Sequence, residues 1–487
     1  MTLSQLEPQA LWRHFQKISS IPRLSNKEAQ LIAAIEEFCD HQQLAHSRDA
    51  IGNLIIRKPA SPGLENVPGV VLQSHLDMVP QKNSNVTHDF EVDPIKPYVD
   101  GDWVTAENTS LGADNGIGVA AILAVFEDKT MRHGPLEALL TINEERGMSG
   151  AFGLDPAILK GDILLNLDSE DEGELYTGCA GGIDVTAKLP LRRVDITGEQ
   201  TAFNLQIRGL KGGHSGVDIH RGRANANKVL VRLLKNLYQD IPLHLAFFEG
   251  GGLRNAIPRE AQCQIVVPSN RVAACMEKIA AFLVILRQEI EITEPNFVLN
   301  IEETTCPAAV IDDRDTLNFI NAVYACPNGV AQMSDRVPGV VATSNNLARV
   351  ITAEDCFVVQ CLTRSQMESA RQDLCVAIQC TFELAGGTVE MSGAYPGWVP
   401  DPSSPMLKLL LACYEKRFDK IPEIKVIHAG LECGIIGAIY PHWDMISFGP
   451  TIRFPHSPDE KVEISSVQKF WQFLVDILAS IPEKKIA

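Results

Sequence analysis

Three apolar runs in the first third of the chain each end in groups that ordinarily resist burial. Val70-Val71-Leu72-Gln73 leads into His75 and Asp77, Leu139-Leu140-Thr141-Ile142 into Glu144 and Glu145, and Ile163-Leu164-Leu165-Asn166-Leu167 into Asp168. A short apolar run without alternation is covered on both faces, the condition of a strand inside a largely parallel sheet flanked by helices. Charge at the end of such a strand is costly unless opposite charge meets it. The carboxyl ends of strands are also where open α/β sheets bind ligands. The pattern therefore constrains the fold and the place of the site together.

The chain of 487 residues exceeds what one hydrophobic core supports, about 250–300 residues, so two domains are expected. Residues 1–185 alternate helical patterns (9–18, 27–39) with strand candidates (51–56, 70–73, 136–142, 163–167), and 116–126 reads as a buried helix. Residues 186–397 change texture. Strands at 202–208, 263–267 and 357–363 interleave with amphipathic helices at 224–238 and 365–384, an α+β module. From 398 to 487 the α/β texture returns, with helices at 405–417 and 465–481 and strands near 424–428 and 444–448. The expected architecture is an α/β domain with a mixed sheet flanked by helices, formed by 1–185 and 398–487 and interrupted by an α+β domain at 186–397. No internal repeat is visible.

Charge and cysteine usage exclude several functions. A net charge of −18, from 61 acidic against 43 basic side chains, repels a phosphate backbone, and no basic stripe counters it, so nucleic acid is not expected as a partner. Twelve scattered cysteines without a Cys-x-x-Cys pair read as reduced core residues. No stretch approaches about 18 uninterrupted apolar residues, and the first residues lack a basic segment followed by an apolar run. No membrane partner is expected, and the expected location is cytoplasmic.

His75 and Asp77 lie two apart at a strand end, so both point to one side; such a pair can set an imidazole on a metal with the carboxylate fixing its tautomer. A purely structural pair at a strand end looks the same. Asp114, in the glycine-rich turn Leu111-Gly112-Ala113-Asp114-Asn115-Gly116, could cap the following helix or share its oxygens between two cations. Of the adjacent acids Glu144 and Glu145, one can ligate a metal while its neighbour moves a proton. Asp168 is a ligand candidate, whereas the acids after it, through Glu174, are expected to form a solvated loop. His456, in a proline-rich loop, would be an ordinary surface histidine in isolation. Taken together, the imidazoles and carboxylates without thiolate fit two zinc ions, with cobalt or manganese as substitutes. Two such ions bridged by a carboxylate and a water lower the water's pKa.

The ordered set Ser74-His75-Leu76-Asp77-Met78-Val79, residues 111–116, Asn143-Glu144-Glu145-Arg146-Gly147-Met148, Leu167-Asp168-Ser169-Glu170 and Pro455-His456-Ser457-Pro458 resembles the co-catalytic zinc peptidase family that includes aminoacylases and carboxypeptidase G. Within it the chain looks like the aminoacyl-histidine dipeptidases, a likeness that also takes in residues 209–216, 253–258, 393–398 and 428–434. The resemblance implies a di-zinc hydrolase cleaving unblocked dipeptides, including those ending in histidine, and a homodimer. It implies one zinc on His75 and Asp168, the other on Glu145 and His456, with Asp114 bridging. It implies that Asp77 orients His75 and that Glu144 is the general base. The middle module would be the family's lid, carrying His214 as a donor to the oxyanion, with Asn255 and Arg364 holding the substrate. His428, Gly430 and Glu432 complete the expected substrate-binding set without assigned roles. An aspartate at position 168 goes with dipeptidases and aminopeptidases of the family. Two rivals stand beside this reading: an N-acyl-amino-acid deacylase with the same metal chemistry, and a non-catalytic scaffold retaining the fold.

Overall fold

The structure, a computed structural model, describes residues 2–483. The chain divides into two compact units. One gathers the chain through Gly178, Pro400–Val426 and the chain from Leu431 onward; the other comprises Cys179–Val399 and Ile427–Gly430.

The first unit is built on an eight-stranded mixed sheet. Its order is Ala45–Arg48, Leu54–Lys58, Leu136–Thr141, Val70–His75, Ile163–Asn166, Asp444–Ser447, Glu174–Cys179 and Glu423–Ile427. The four central strands from Leu136–Thr141 to Asp444–Ser447 run parallel, and the pairs Ala45–Arg48 with Leu54–Lys58 and Leu54–Lys58 with Leu136–Thr141 are antiparallel. Every residue of Val70–His75, Leu136–Thr141 and Ile163–Asn166 is buried, as their uninterrupted apolar runs require. The strand expected from residue 51 begins instead at Leu54, because the Asp49 carboxylate accepts the backbone N–H groups of Ile51, Gly52 and Asn53 and holds them in a turn.

The helix Ala113–Glu127 is apolar all round and buried from Ala113 to Phe126, so it lies inside the unit rather than on its surface. It packs tightly on the strand ends. A Cβ at Gly118 would stand 2.4 Å from Ser74 Oγ and 2.7 Å from the Leu167 carbonyl, so only glycine fits there. Trp12, Phe15, Ile117, Leu72, Leu140 and Phe470 share the same core. No helix among the described residues is long and apolar enough to cross a membrane.

The second unit is a nine-stranded sheet whose recorded pairings are antiparallel, with edge strands Val298–Thr304 and Thr388–Tyr395. The helices Ala226–Tyr238, Val272–Ile290, Asp313–Ala325 and Glu368–Leu384 contribute to one core with it, centred on stacked Phe319 and Phe357 with ring centroids 3.9 Å apart. The helix expected from residue 365 begins at Glu368, since Ser365 still belongs to the strand Cys356–Ser365. The buried thiols Cys39, Cys263, Cys275, Cys326, Cys361, Cys375 and Cys413 are free.

Candidate metal centre

Register brings the three charged strand ends together. His75 pairs with Thr141 and Gln73 with Asn166 in the parallel ladder, so the ends bearing His75, Glu144 and Glu145, and Asp168 are neighbours. Asn143 turns the chain with φ 53 before the two glutamates, and its N–H donates to Glu28 at 2.9 Å. Asp114 sits at the start of the buried helix, where the Asp114–Asn115 peptide is cis and both residues depart from helical geometry. Asp114 is not the helix cap; Gly112 holds that position. The Asn115 side chain donates to the Leu167 carbonyl at 2.7 Å, tying this turn to the strand end that carries Asp168. His456 comes from the loop near the other end of the chain with φ 57.

The two oxygens of Asp114 face two different imidazoles, Oδ1 at 3.1 Å from His75 Nε2 and Oδ2 at 3.1 Å from His456 Nε2. His75 Nε2 is also 3.4 Å from Asp168 Oδ1, and His456 Nε2 is 3.0 Å from Glu145 Oε1. Ligand atoms of His75, Asp114 and Asp168 lie within 4.8 Å of one another, as do those of Asp114, Glu145 and His456, and those of His75, Glu144 and Glu145. The structure thus gathers all five expected ligand residues, with Asp114 common to two sets. Glu144 stands beside them.

Asp77 joins the strand ends from behind. Its Oδ1 is 3.4 Å from His75 Nδ1 and accepts the N–H of Glu144 at 3.0 Å; its Oδ2 accepts the N–H of Glu145 at 3.2 Å and the Ser25 hydroxyl at 2.7 Å. His75 Nδ1 has a nearer neighbour in the backbone carbonyl of Asp77, at 3.0 Å. Either acceptor leaves Nε2 facing Asp114 and Asp168.

The cluster carries more acid than base. Burial opposes ionisation of Asp77, yet His75 and the donors around it hold its carboxyl down at about 2. Asp114 is likewise kept below the usual carboxylate range by the two imidazoles, against its burial. Burial, then repulsion from Asp168, Glu432 and Glu145, pushes Glu144 well above its ordinary value, while Asp168 is pushed up to about 6 by burial and by Asp114 and Glu145. Burial works against a charge on His75, but Asp168, Asp114 and Asp77 raise it well above its ordinary value; hydrogen bonds to Asp114 and Glu145 lift His456 to about 11. Such crowding of carboxylates in a low-dielectric site calls for positive charge. Asp168 Oδ1 is buried and, apart from the long 3.4 Å approach of His75 Nε2, has no hydrogen-bond partner among the described residues, as an oxygen meant for a cation would be. The oxygen and imidazole donors fit a divalent transition metal, and zinc suits them.

In the second unit, His214 accepts the N–H groups of Gly216 and Val217 on Nδ1 at 3.1 and 3.0 Å. Its proton therefore sits on Nε2. Burial, with Arg364 nearby, pushes its pKa down to about 4, so at neutral pH His214 is an uncharged donor. The buried Arg364 donates to the Tyr395 hydroxyl at 2.7 Å and lies 3.4 Å from Ser215 Oγ, and the Asn255 carbonyl accepts the Ser215 N–H at 2.8 Å. His428 is buried with Nε2 2.7 Å from Ser344 Oγ, and burial, then Arg364 and His214, lowers it to about 3. Gly430 is half-buried. Glu432 belongs to the first unit, where it is enclosed and accepts from Gln73 Nε2 at 2.6 Å and Thr141 Oγ1 at 2.7 Å; burial raises it to about 7.

The acids after Asp168 do not form the solvated loop their composition suggests. Glu170 is pushed up to about 8 by burial and by Asp114 and Asp168, and Glu172 is held by Tyr414 and by Lys469 at 3.1 Å. Also unforeseen are Arg23, Ser25 and Glu28. They bind the backbone or side chains of the turns carrying Asp77 and Asn143, and no periodicity marks a residue whose partners are single carbonyls and amides.

Residues 71–480 match the model of peptidase family M20/M25/M40. A cytosol non-specific dipeptidase of Escherichia coli (strain K12) is 48% identical over 482 residues, 99% of each chain. The crystal structure of aminoacylhistidine dipeptidase from Vibrio alginolyticus is similar with a TM-score of 0.94 and 50% identity, covering 99% of each chain. An aminopeptidase structure from Bacillus cereus shares the fold at 16% identity, with a TM-score of 0.57 over 98% of this chain and 99% of that one.

Proposed function

The chain belongs to peptidase family M20/M25/M40, and from that premise we propose that it hydrolyses the peptide bond of dipeptides with a free amino terminus, Xaa-His among them. The observation that carries the reading is the convergence of His75, Asp114 and Asp168 with Glu145 and His456 around a shared aspartate, in a chain 48% identical to a dipeptidase along almost its whole length.

Zinc is the proposed metal, with His75 and Asp168 holding one ion, Glu145 and His456 the other, and Asp114 shared. Two such ions supply Lewis acidity, lowering the pKa of a water and polarising a carbonyl. Glu144 is the proposed general base, taking a proton from the attacking water and delivering it to the leaving amine. Its proton affinity is raised by burial and by neighbouring carboxylates, and the second part falls once cations neutralise those carboxylates. Asp77 holds His75 and both glutamate amides in place. His214 is the proposed donor to the oxyanion, a role suited to an uncharged Nε2–H.

Arg364 is proposed to bind the terminal carboxylate, with Asn255, His428 and Gly430 completing the substrate contacts. Glu432 is enclosed in the first unit, where Gln73 and Thr141 hold its carboxylate. A cytoplasmic location is proposed from the likeness to a relative named as a cytosol dipeptidase, and a homodimer from the family resemblance. The test is a substrate panel. Free dipeptides are expected to be cleaved and their N-acetylated counterparts refused; the opposite preference would make the protein a deacylase, and no hydrolysis of either by metal-loaded protein would make it a scaffold.

A further inference from the structure

Glu460 stands four residues beyond His456 and is buried to 2% exposure. Its carboxylate receives four consecutive backbone N–H groups: Oε2 from Leu111 at 2.8 Å and Gly112 at 2.9 Å, Oε1 from Ala113 at 2.8 Å and Asp114 at 3.2 Å. The N–H of Glu460 in turn donates to the Ser457 carbonyl at 3.1 Å, closing the turn that follows His456. One side chain of the His456 loop thus folds the Asp114 turn around itself.

The opposite side of that turn is gripped by a cation. Arg23, also 2% exposed, donates to the carbonyls of Leu76 and Asp77 at 2.9 Å each and to that of Gly112. Gly112 has φ +68, and a Cβ there would stand 2.4 Å from Arg23 Nη2 and 2.8 Å from Met78 Sδ, so the turn has no slack against the guanidinium. Successive amides converging on one carboxylate form a concave nest that holds the turn to it. The turn is therefore fixed through its N–H groups by the loop of one imidazole, and its Gly112 carbonyl is tied through Arg23 to the carbonyls at the strand end of the other.

We propose that Glu460 is a positioning residue for the metal centre, setting where Asp114 stands between His75 and His456. Metal sites tolerate displacements of only a few tenths of an ångström, and Asp114 is the residue both ligand sets share. Glu460 is in none of those sets, so its influence runs through backbone. The proposal rests on the metal reading above.

The test is a calorimetric titration of chelator-treated full-length protein with Zn2+, and with Co2+ followed by its visible absorption, in three variants. Glu460→Gln keeps the shape but turns an amide group toward two N–H donors, and Glu460→Asp keeps the charge but withdraws it by one methylene. Glu137→Gln is the control: a buried carboxylate elsewhere in the same unit that accepts the N–H groups of Lys160 and Gly161 at 2.6 and 2.9 Å. Both Glu460 variants are expected to bind metal about 10–100-fold more weakly, or to lose one equivalent, with an altered Co2+ spectrum. Glu137→Gln is expected to lower thermal stability without moving metal affinity. Wild-type affinity in the Glu460 variants, an equal loss of affinity in the control, or variants that do not fold would each overturn the proposal. Wild-type protein that binds no divalent cation would instead remove the metal reading on which it stands.

Discussion

The carboxylate of Asp77 accepts the backbone N–H of Glu144 at 3.0 Å, across 67 positions of sequence. Through that bond, and its companion from Glu145 at 3.2 Å, the residue that faces His75 also sets the height of the two acids on the neighbouring strand end. Asp77→Ala removes all of these at once and leaves buried N–H donors without an acceptor. It is expected to weaken metal binding about 10–100-fold and to cost about 1–3 kcal/mol of stability, measured by metal titration and by urea unfolding.

Glu144→Gln changes the proton-carrying group and nothing that holds the cluster, since Glu145 and Asp168 remain. Metal content is expected to stay at the wild-type level while the turnover number falls about 10²–10⁴-fold. Elemental analysis and steady-state kinetics on the same preparation check both; a rate within a fewfold of wild type would remove Glu144 from proton transfer.

Metal binding and protons are linked. In the metal-free protein His456, at about 11, and His75, well above its ordinary value, both carry protons at neutral pH. A cation on either nitrogen must displace its proton, so affinity is expected to rise with pH and to fall in acid. Calorimetry in buffers of different ionisation enthalpy at pH 7 is expected to show net proton release on zinc binding. Proton uptake would contradict the arrangement.

His428 responds to pH in the opposite sense. Its folded-state pKa of about 3 lies below its ordinary 6.5, so between those values the unfolded chain binds the proton that the folded one refuses. Stability from this group is complete above pH 6.5 and is lost as pH falls toward 3. At pH 4.5 the loss amounts to about 3 kcal/mol. His428→Asn is expected to flatten that part of the stability profile, read from denaturant midpoints at pH 7 and 4.5.

Arg364→Met tests substrate recognition. KM for dipeptides is expected to rise at least about tenfold, in line with loss of a charge-assisted contact, while KM for the corresponding dipeptide amides changes little. Equal effects on both would assign Arg364 to holding Tyr395 and Ser215 rather than the substrate carboxylate.

Much of the first unit was legible because burial on both faces leaves a mark: the runs ending at His75, Ile142 and Leu167 mark the parallel central strands of one mixed sheet, and adjacency at their ends follows. The strand boundary at Leu54 was hidden because an aspartate five positions earlier, at position 49, collects amides that a ladder would otherwise use. At the site, ligand types are visible as types, but Arg23, Ser25 and Glu460 are not. They hold turns through backbone amides, carbonyls and single side-chain contacts, and a sequence records those partners only once the fold brings them near. The acids after Asp168 misled for the converse reason. Composition says water, whereas Tyr414 and Lys469, far along the chain, cover Glu172.

The central claim is that His75, Asp114, Glu145, Asp168 and His456 hold two divalent cations that dipeptide hydrolysis requires. The most direct measurement is the metal content of the protein during stepwise removal and return of zinc, with dipeptide hydrolysis assayed at each step. Activity is expected to vanish as the content approaches zero and to return in full as it reaches two per chain. Undiminished hydrolysis by protein stripped of transition metal would contradict the account.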